Sequence, residues 1–283
     1  MDKTMSSNPL SQYFRQPAIY LKLPSQGRYW PEDALELPLT KEIPVYPMTA
    51  KDEITLRTPD ALMNGQGMID LIQSCCPNIK NAWDMPSIDV DAVIIAIRIA
   101  SYGQVMDFDN RCPHCQHENT HGIDLTSILD RIRAPDYTRA IDVNSHIKIR
   151  IRPQPYFSVN NTNRTQFEEQ QLLRMISAME DGEEKLEKFN QQMQRLVDLN
   201  IKLVTDSTEY IEIDQDQRVT DKTFIEEFYR NTDAATLKTL QQKVTDLSQQ
   251  GAIPESHVVC GECQKDYSVA ITFDYSNFFG KGF

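Results

Sequence analysis

Cys112-Pro113-His114-Cys115 and Cys260-Gly261-Glu262-Cys263 are cysteine pairs of identical spacing, with 144 residues between them. Two intervening residues let a tight turn aim both thiolates at one ion, and two such turns supply the four sulfurs of a closed tetrahedral zinc site. Four protein ligands leave no position for water, so the spacing predicts a structural Zn2+ held by Cys112, Cys115, Cys260 and Cys263, not a catalytic one. His114, His117 and His121 stand near enough to replace a sulfur, but beside thiolates they read as loop and strand residues. Cys75-Cys76 is adjacent rather than spaced and reads as core. Disulfides are the competing chemistry. The polar start, Met1 to Leu10, lacks the charged and apolar regions of an export signal, which predicts free thiols and synthesis in a reducing host cytoplasm.

Other chemistry is hard to place. No phosphate-binding loop, dinucleotide-binding glycine turn, nucleophile elbow or His-Glu-x-x-His helix occurs. His146 and His257 are spare bases outside any constellation, and Glu183-Glu184 and Glu226-Glu227 fall on amphipathic helices, where carboxylates are usually solvated. The chain reads as a non-enzyme with no catalytic residue.

The cysteine turns need elements to hold them. Val105 and Phe108 before the first pair, and Tyr267, Val269, Ile271 and Phe273 after the second, are strand formers, so each pair reads as a hairpin tip of a zinc ribbon. The predicted fold class is α+β: a four-cysteine zinc-ribbon module closed by distant segments, with an extended N-terminal arm and an inserted helical hairpin region. The segments are an arm over 1–45, a mainly helical domain over 46–104 with a buried helix at 88–100, and the first half of the ribbon over 105–125. A helix and strand connection follows over 126–159, then an acidic helical insertion over 160–250, and the second ribbon half with an aromatic tail over 251–283.

Within these segments, residues 1–12 read as disordered. Ile19, Leu21 and Leu23 alternate with Tyr20 and Lys22, and Pro31, Pro38, Pro44 and Pro47 exclude helix from the rest of the arm. Thr58-Pro59-Asp60 is a helix start, interrupted at Asn64-Gly65-Gln66-Gly67 and resumed over Met68 to Cys75. Ser87 reads as the cap of a helix that Gly103 closes, and Val90, Val93, Ile94, Ile97 and Ile99 leave it little polar face. Leu125 to Ile132 reads as a short helix and Val143 to Ile151 as a half-buried strand. Helices over Thr165–Met179 and Glu183–Val204, turning at Asp181-Gly182, form the hairpin. Leu186, Phe189, Met193, Leu196 and Leu203, and later Leu237, Leu240, Val244 and Leu247, are stripes expected to bury within it, with docking to another protein's helices as the alternative. Phe273, Tyr275, Phe278, Phe279 and Phe283 are expected to be anchored, to this chain or a neighbour.

No run of 18 apolar residues is present, so no membrane span is predicted. The net charge is −12, and residues 160–256 alone hold 19 acidic against 11 basic side chains. Phosphate backbones are bound through cations, so this balance argues against nucleic acid as a partner.

Three stretches carry a resemblance: Tyr20-Leu21-Lys22-Leu23-Pro24-Ser25-Gln26-Gly27-Arg28-Tyr29, Val45-Tyr46-Pro47-Met48-Thr49-Ala50-Lys51-Asp52-Glu53, and Leu56-Arg57-Thr58-Pro59-Asp60-Ala61-Leu62. With the first cysteine turn, they make the chain similar to the T-even-type phage baseplate family, whose members serve the central hub of contractile tails. The likeness covers about residues 13–130 plus the second cysteine turn; residues 160–250 carry none. It implies a late viral structural protein of the tail baseplate, in the virion, contacting other baseplate, hub and tail-tube proteins in several symmetry-related copies. The alternatives are a hub assembly chaperone absent from the mature virion and a nucleic-acid-binding zinc-ribbon protein. No partner-binding residue is singled out.

Overall fold

A computed structural model describes residues 8–56, 65–179, 182–214, 217–270 and 278–279. Strand β1 (Ile19–Leu21) pairs antiparallel with β2 (Ile43–Val45), and α1 (Ala50–Leu56) and α2 (Gln66–Cys75) follow. All pack toward α3 (Ser87–Tyr102), whose Ala92, Val93, Ile94, Ile95, Ala96 and Ile97 are fully buried. A helix apolar on every side must be surrounded. The arm supplies part of that cover through Leu21, Leu23, Ile43 and Val45, all 2 % exposed or less.

The start of α3 differs from the expectation. Ser87 is its first residue and Pro86 precedes it as the cap, without a side-chain capping bond. The polar anchor is instead Asp89, which is fully buried and accepts bonds from Ser25 N–H at 2.8 Å, Ser25 Oγ at 2.5 Å and Trp30 Nε1 at 2.8 Å. Ser25 and Trp30 lie about sixty residues upstream, so no local capping rule could reveal this. At the other end Gly103 takes φ +91° and its N–H donates to Ile99 O, closing the helix as the sequence predicts.

The hairpin β3 (Val105–Arg111) and β4 (Glu118–Asp124) leaves this core, and α4 (Leu125–Leu129) returns to it. Asp124 caps α4 by accepting from Thr126 N–H at 2.9 Å. A second core forms on the sheet β5 (Ile141–Asp142), β6 (Ile147–Ile151), β7 (Thr208–Ile213) and β8 (Gln217–Val219), antiparallel throughout. Helices α5 (Tyr156–Ser177) and α6 (Glu183–Ser207) precede β7, and α7 (Lys222–Asn231) and α8 (Ala234–Gln250) follow β8. Ile149, Ile201, Val204, Ile211, Ile225, Tyr229 and Leu240 fill this core. The hairpin β9 (Ser256–Val259) and β10 (Asp266–Val269) closes the order.

Two findings depart from the sequence reading of residues 160–250. The run is not helical throughout, because Thr208–Ile213 and Gln217–Val219 are strands. Thr208, Tyr210, Ile211 and Ile213 are β-branched or aromatic, and Ile211 opposes Ile149 and Val219 across the sheet. Second, the α5–α6 hairpin does not bury its whole stripe. Leu186, Phe189 and Met193 remain 61 %, 43 % and 36 % exposed, while the polar Gln192 is buried and bonded to Glu169 O at 3.4 Å, with Glu169 and Ile176 of α5 buried as well. Sheet and helix cover reaches Ile201 and Val204 near the end of α6.

Ser11–Tyr13 form a single 3-10 turn that overlaps the end of the stretch read as disordered, residues 1–12, of which 1–7 lie outside the described residues. The helix start at Thr58-Pro59-Asp60, Asp181 of the hairpin turn, and Ile271, Phe273, Tyr275 and Phe283 lie outside the described residues. Phe278 and Phe279, 5 % and 7 % exposed, insert into the first core with their rings edge to face at 5.0 Å. Arg98 Nε donates to Phe278 O at 3.1 Å, so these two aromatics are anchored to their own chain. No helix among the described residues is long and apolar enough to cross a membrane.

Candidate metal centre

Both cysteine pairs sit at hairpin tips built to one plan. Arg111 pairs with Glu118 and Val259 with Asp266, leaving loops 112–117 and 260–265 between the strands. In the first, Cys112 N–H donates to His117 O and Gln116 N–H to Cys112 O, both at 2.9 Å. In the second, Cys260 N–H donates to Lys265 O and Gln264 N–H to Cys260 O, both at 3.1 Å. The residue after each second cysteine turns the chain back through the left-handed region, Gln116 at φ +62° and Gln264 at φ +57°. A non-glycine residue pays roughly 1 kcal/mol for that conformation, so the turns are held by their surroundings.

The tips meet. All four Sγ atoms lie within 4.8 Å of one another, with Cys112 Sγ 3.7 Å from Cys263 Sγ and Cys115 Sγ 3.6 Å from Cys260 Sγ. A disulfide needs about 2.05 Å, whereas a tetrahedron with metal–sulfur bonds of about 2.3 Å has edges of about 3.8 Å. Donor type, number and spacing therefore fit one ion. Cys112 and Cys260 are fully buried and pack with Tyr267 and Val269, while Cys115 opens to solvent.

Around the sulfurs is a polar network that the sequence reading missed. Asn119, 8 % exposed, accepts from Gly261 N–H at 2.9 Å and directs its amide to Cys260 Sγ at 3.6 Å and Tyr267 Oη at 3.3 Å. One side chain of the first hairpin thus holds the turn of the second. Tyr267 in return donates to Asn110 Oδ1 and lies 3.2 Å from His121 Nε2. Asn119 sits four residues past Cys115, within a strand, and only the meeting of the tips gives it a role.

The same network sets the acidity of the thiols. Hydrogen bonding from Cys263 N–H, with Glu262 N–H and the Asn119 amide, holds Cys260 down to about 6, favouring thiolate. At Cys115 the His117 N–H also favours thiolate, but partial desolvation of its sulfur and its hydrogen bonding to the other three sulfurs together outweigh it and push Cys115 up to about 12. Four sulfurs this close cannot all carry unshielded charge, which a cation would neutralise.

The histidines beside the first turn stay outside the cluster. His114 and His117 are exposed, and His121 is engaged with Tyr267. Cys75 and Cys76 are fully buried, as their adjacency suggests; burial pushes Cys75 up to about 12 and raises Cys76 as well, so neither is a reactive thiol.

Residues 30–280 match the family model described as T4 bacteriophage base plate protein. No curated protein and no solved structure matches the chain.

Proposed function

The chain belongs to the T4 bacteriophage base plate protein family, and from that premise we propose that it is a non-enzymatic structural subunit at or near the central hub of the contractile tail, braced by Zn2+ on Cys112, Cys115, Cys260 and Cys263. The observation that supports this reading is the convergence of four sulfurs from segments 145 residues apart at spacings a tetrahedral ion requires. A closed site of this kind supplies folding energy and rigidity rather than reactivity. Rigid, repeated docking of neighbouring baseplate proteins is the use such a brace serves, in several symmetry-related copies.

Two measurements test the two halves. Elemental analysis of the native protein should find one zinc per chain. A metal-free protein with an unchanged melting temperature would remove the brace from the proposal. Quantitative mass spectrometry of purified virions should find the chain at constant stoichiometry with other baseplate proteins; its absence from particles would make it an assembly factor instead.

A further inference from the structure

The β1–β2 sheet has two strands, and among the described residues no third strand pairs with the outer edge of β1. Tyr20 of β1 stands opposite Pro44 of β2, and a residue without an N–H cannot occupy the doubly bonded pair of an antiparallel ladder. Tyr20 is therefore in the other kind of pair, which directs its own N–H and C=O away from β2. On the far side, just past β2, Tyr46 N–H donates to Cys75 O at 2.8 Å. Beside β1, no loop or turn bonds the backbone of Tyr20 or Lys22 among the described residues.

A groove of about 780 Å³ runs past β1, lined by Tyr20, Lys22 and Leu23, by Glu42 next to β2, and by Leu129 and Arg133. An exposed edge of this kind is a template for another strand.

The same chain carries a segment in need of cover. Leu10, Tyr13 and Phe14 are 61 %, 77 % and 57 % exposed. Arg15 fixes where that segment departs, because its guanidinium donates to Pro47 O and Ser74 O, both at 2.6 Å, on the β2 side of the sheet. Residues 8–14 thus leave from the β2 side, away from their own β1 edge, and with the turn at Ser11–Tyr13 unwound they span about 23 Å, ample for the edge from Tyr20 to Leu23. A projecting segment on one side and an edge unpaired among the described residues on the other form the two halves of a heterologous contact, which closes into a ring or runs on as a filament. We propose that copies of this chain associate head to tail, residues 8–14 of one adding as a strand to the β1 edge of the next. The inference is independent of the metal centre.

Sedimentation velocity on the full chain over a range of concentrations tests it with two variants. Tyr20→Pro removes the outward N–H while sparing the bonds to β2, and Leu10→Ser/Tyr13→Ser/Phe14→Ser removes the apolar contacts; circular dichroism checks folding of each. The unaltered chain should grow in mass with concentration, and each variant should stay monomeric. An equimolar mixture should stop at a one-to-one dimer, because only one productive arm and one productive edge remain. Amide exchange at Tyr20 gives a reading without substitution and should slow as concentration rises. A monomeric unaltered chain, a variant that associates like it, a mixture that stays monomeric, or unchanged Tyr20 exchange would each overturn the proposal.

Discussion

Asn119 and Asp89 show how much a single polar side chain can fix when it is buried and fully used. Asn119 bridges the two cysteine turns through its oxygen and its amide. In Asn119→Ala the Gly261 N–H and the Cys260 sulfur lose their partner, which costs about 2 kcal/mol and should weaken binding of the proposed ion roughly tenfold or more; competition against a chromophoric chelator checks it. Asp89 is pushed up to about 6, from an ordinary 3.8, by burial that outweighs its bonds from Ser25 and Trp30. The folded state therefore holds that proton more tightly than the unfolded chain does. Stability from this group is highest below pH 4 and is lost as pH rises through 6, by about 1 kcal/mol between pH 5 and pH 7. Urea titrations at those two pH values should show that loss, and Asp89→Asn should abolish it.

At the scale of elements, β3–β4 and β9–β10 are two-stranded hairpins with a small shared cluster, Cys112, Cys260, Tyr267 and Val269. Isolated hairpins of that size are marginal in water, so cohesion of the module rests on the proposed ion. Chelation, or Cys115→Ser, should lower the melting temperature and strip amide-exchange protection from Val105–Asp124 and Ser256–Val269 first. The cores around α3 and the four-stranded sheet should keep theirs for longer, since their burial does not involve the sulfurs.

Across the whole molecule, the chain crosses between its parts several times, and the last described residues return to the first core. Phe279 is 7 % exposed there and Phe278 is bonded by Arg98. Phe279→Ala should cost about 3 kcal/mol, seen as a lower urea midpoint with an unchanged slope. A loss confined to the β9–β10 hairpin would mean that the aromatic residues brace only their own neighbourhood.

The spacing of four cysteines, the apolar run of α3 with Gly103 at its end, and the alternation in β6 were legible in the residues themselves, because ligand geometry and side-chain periodicity are local properties. Tertiary structure alone decided what lies far apart in sequence: Asn119 against Gly261, Asp89 against Ser25 and Trp30, the strand pairing of β7 with β6, and the exposure of Leu186, Phe189 and Met193. An amphipathic stripe records that a face is apolar, not whether anything covers it. A polar residue records that it needs partners, and which ones it finds depends on which segments the fold brings together.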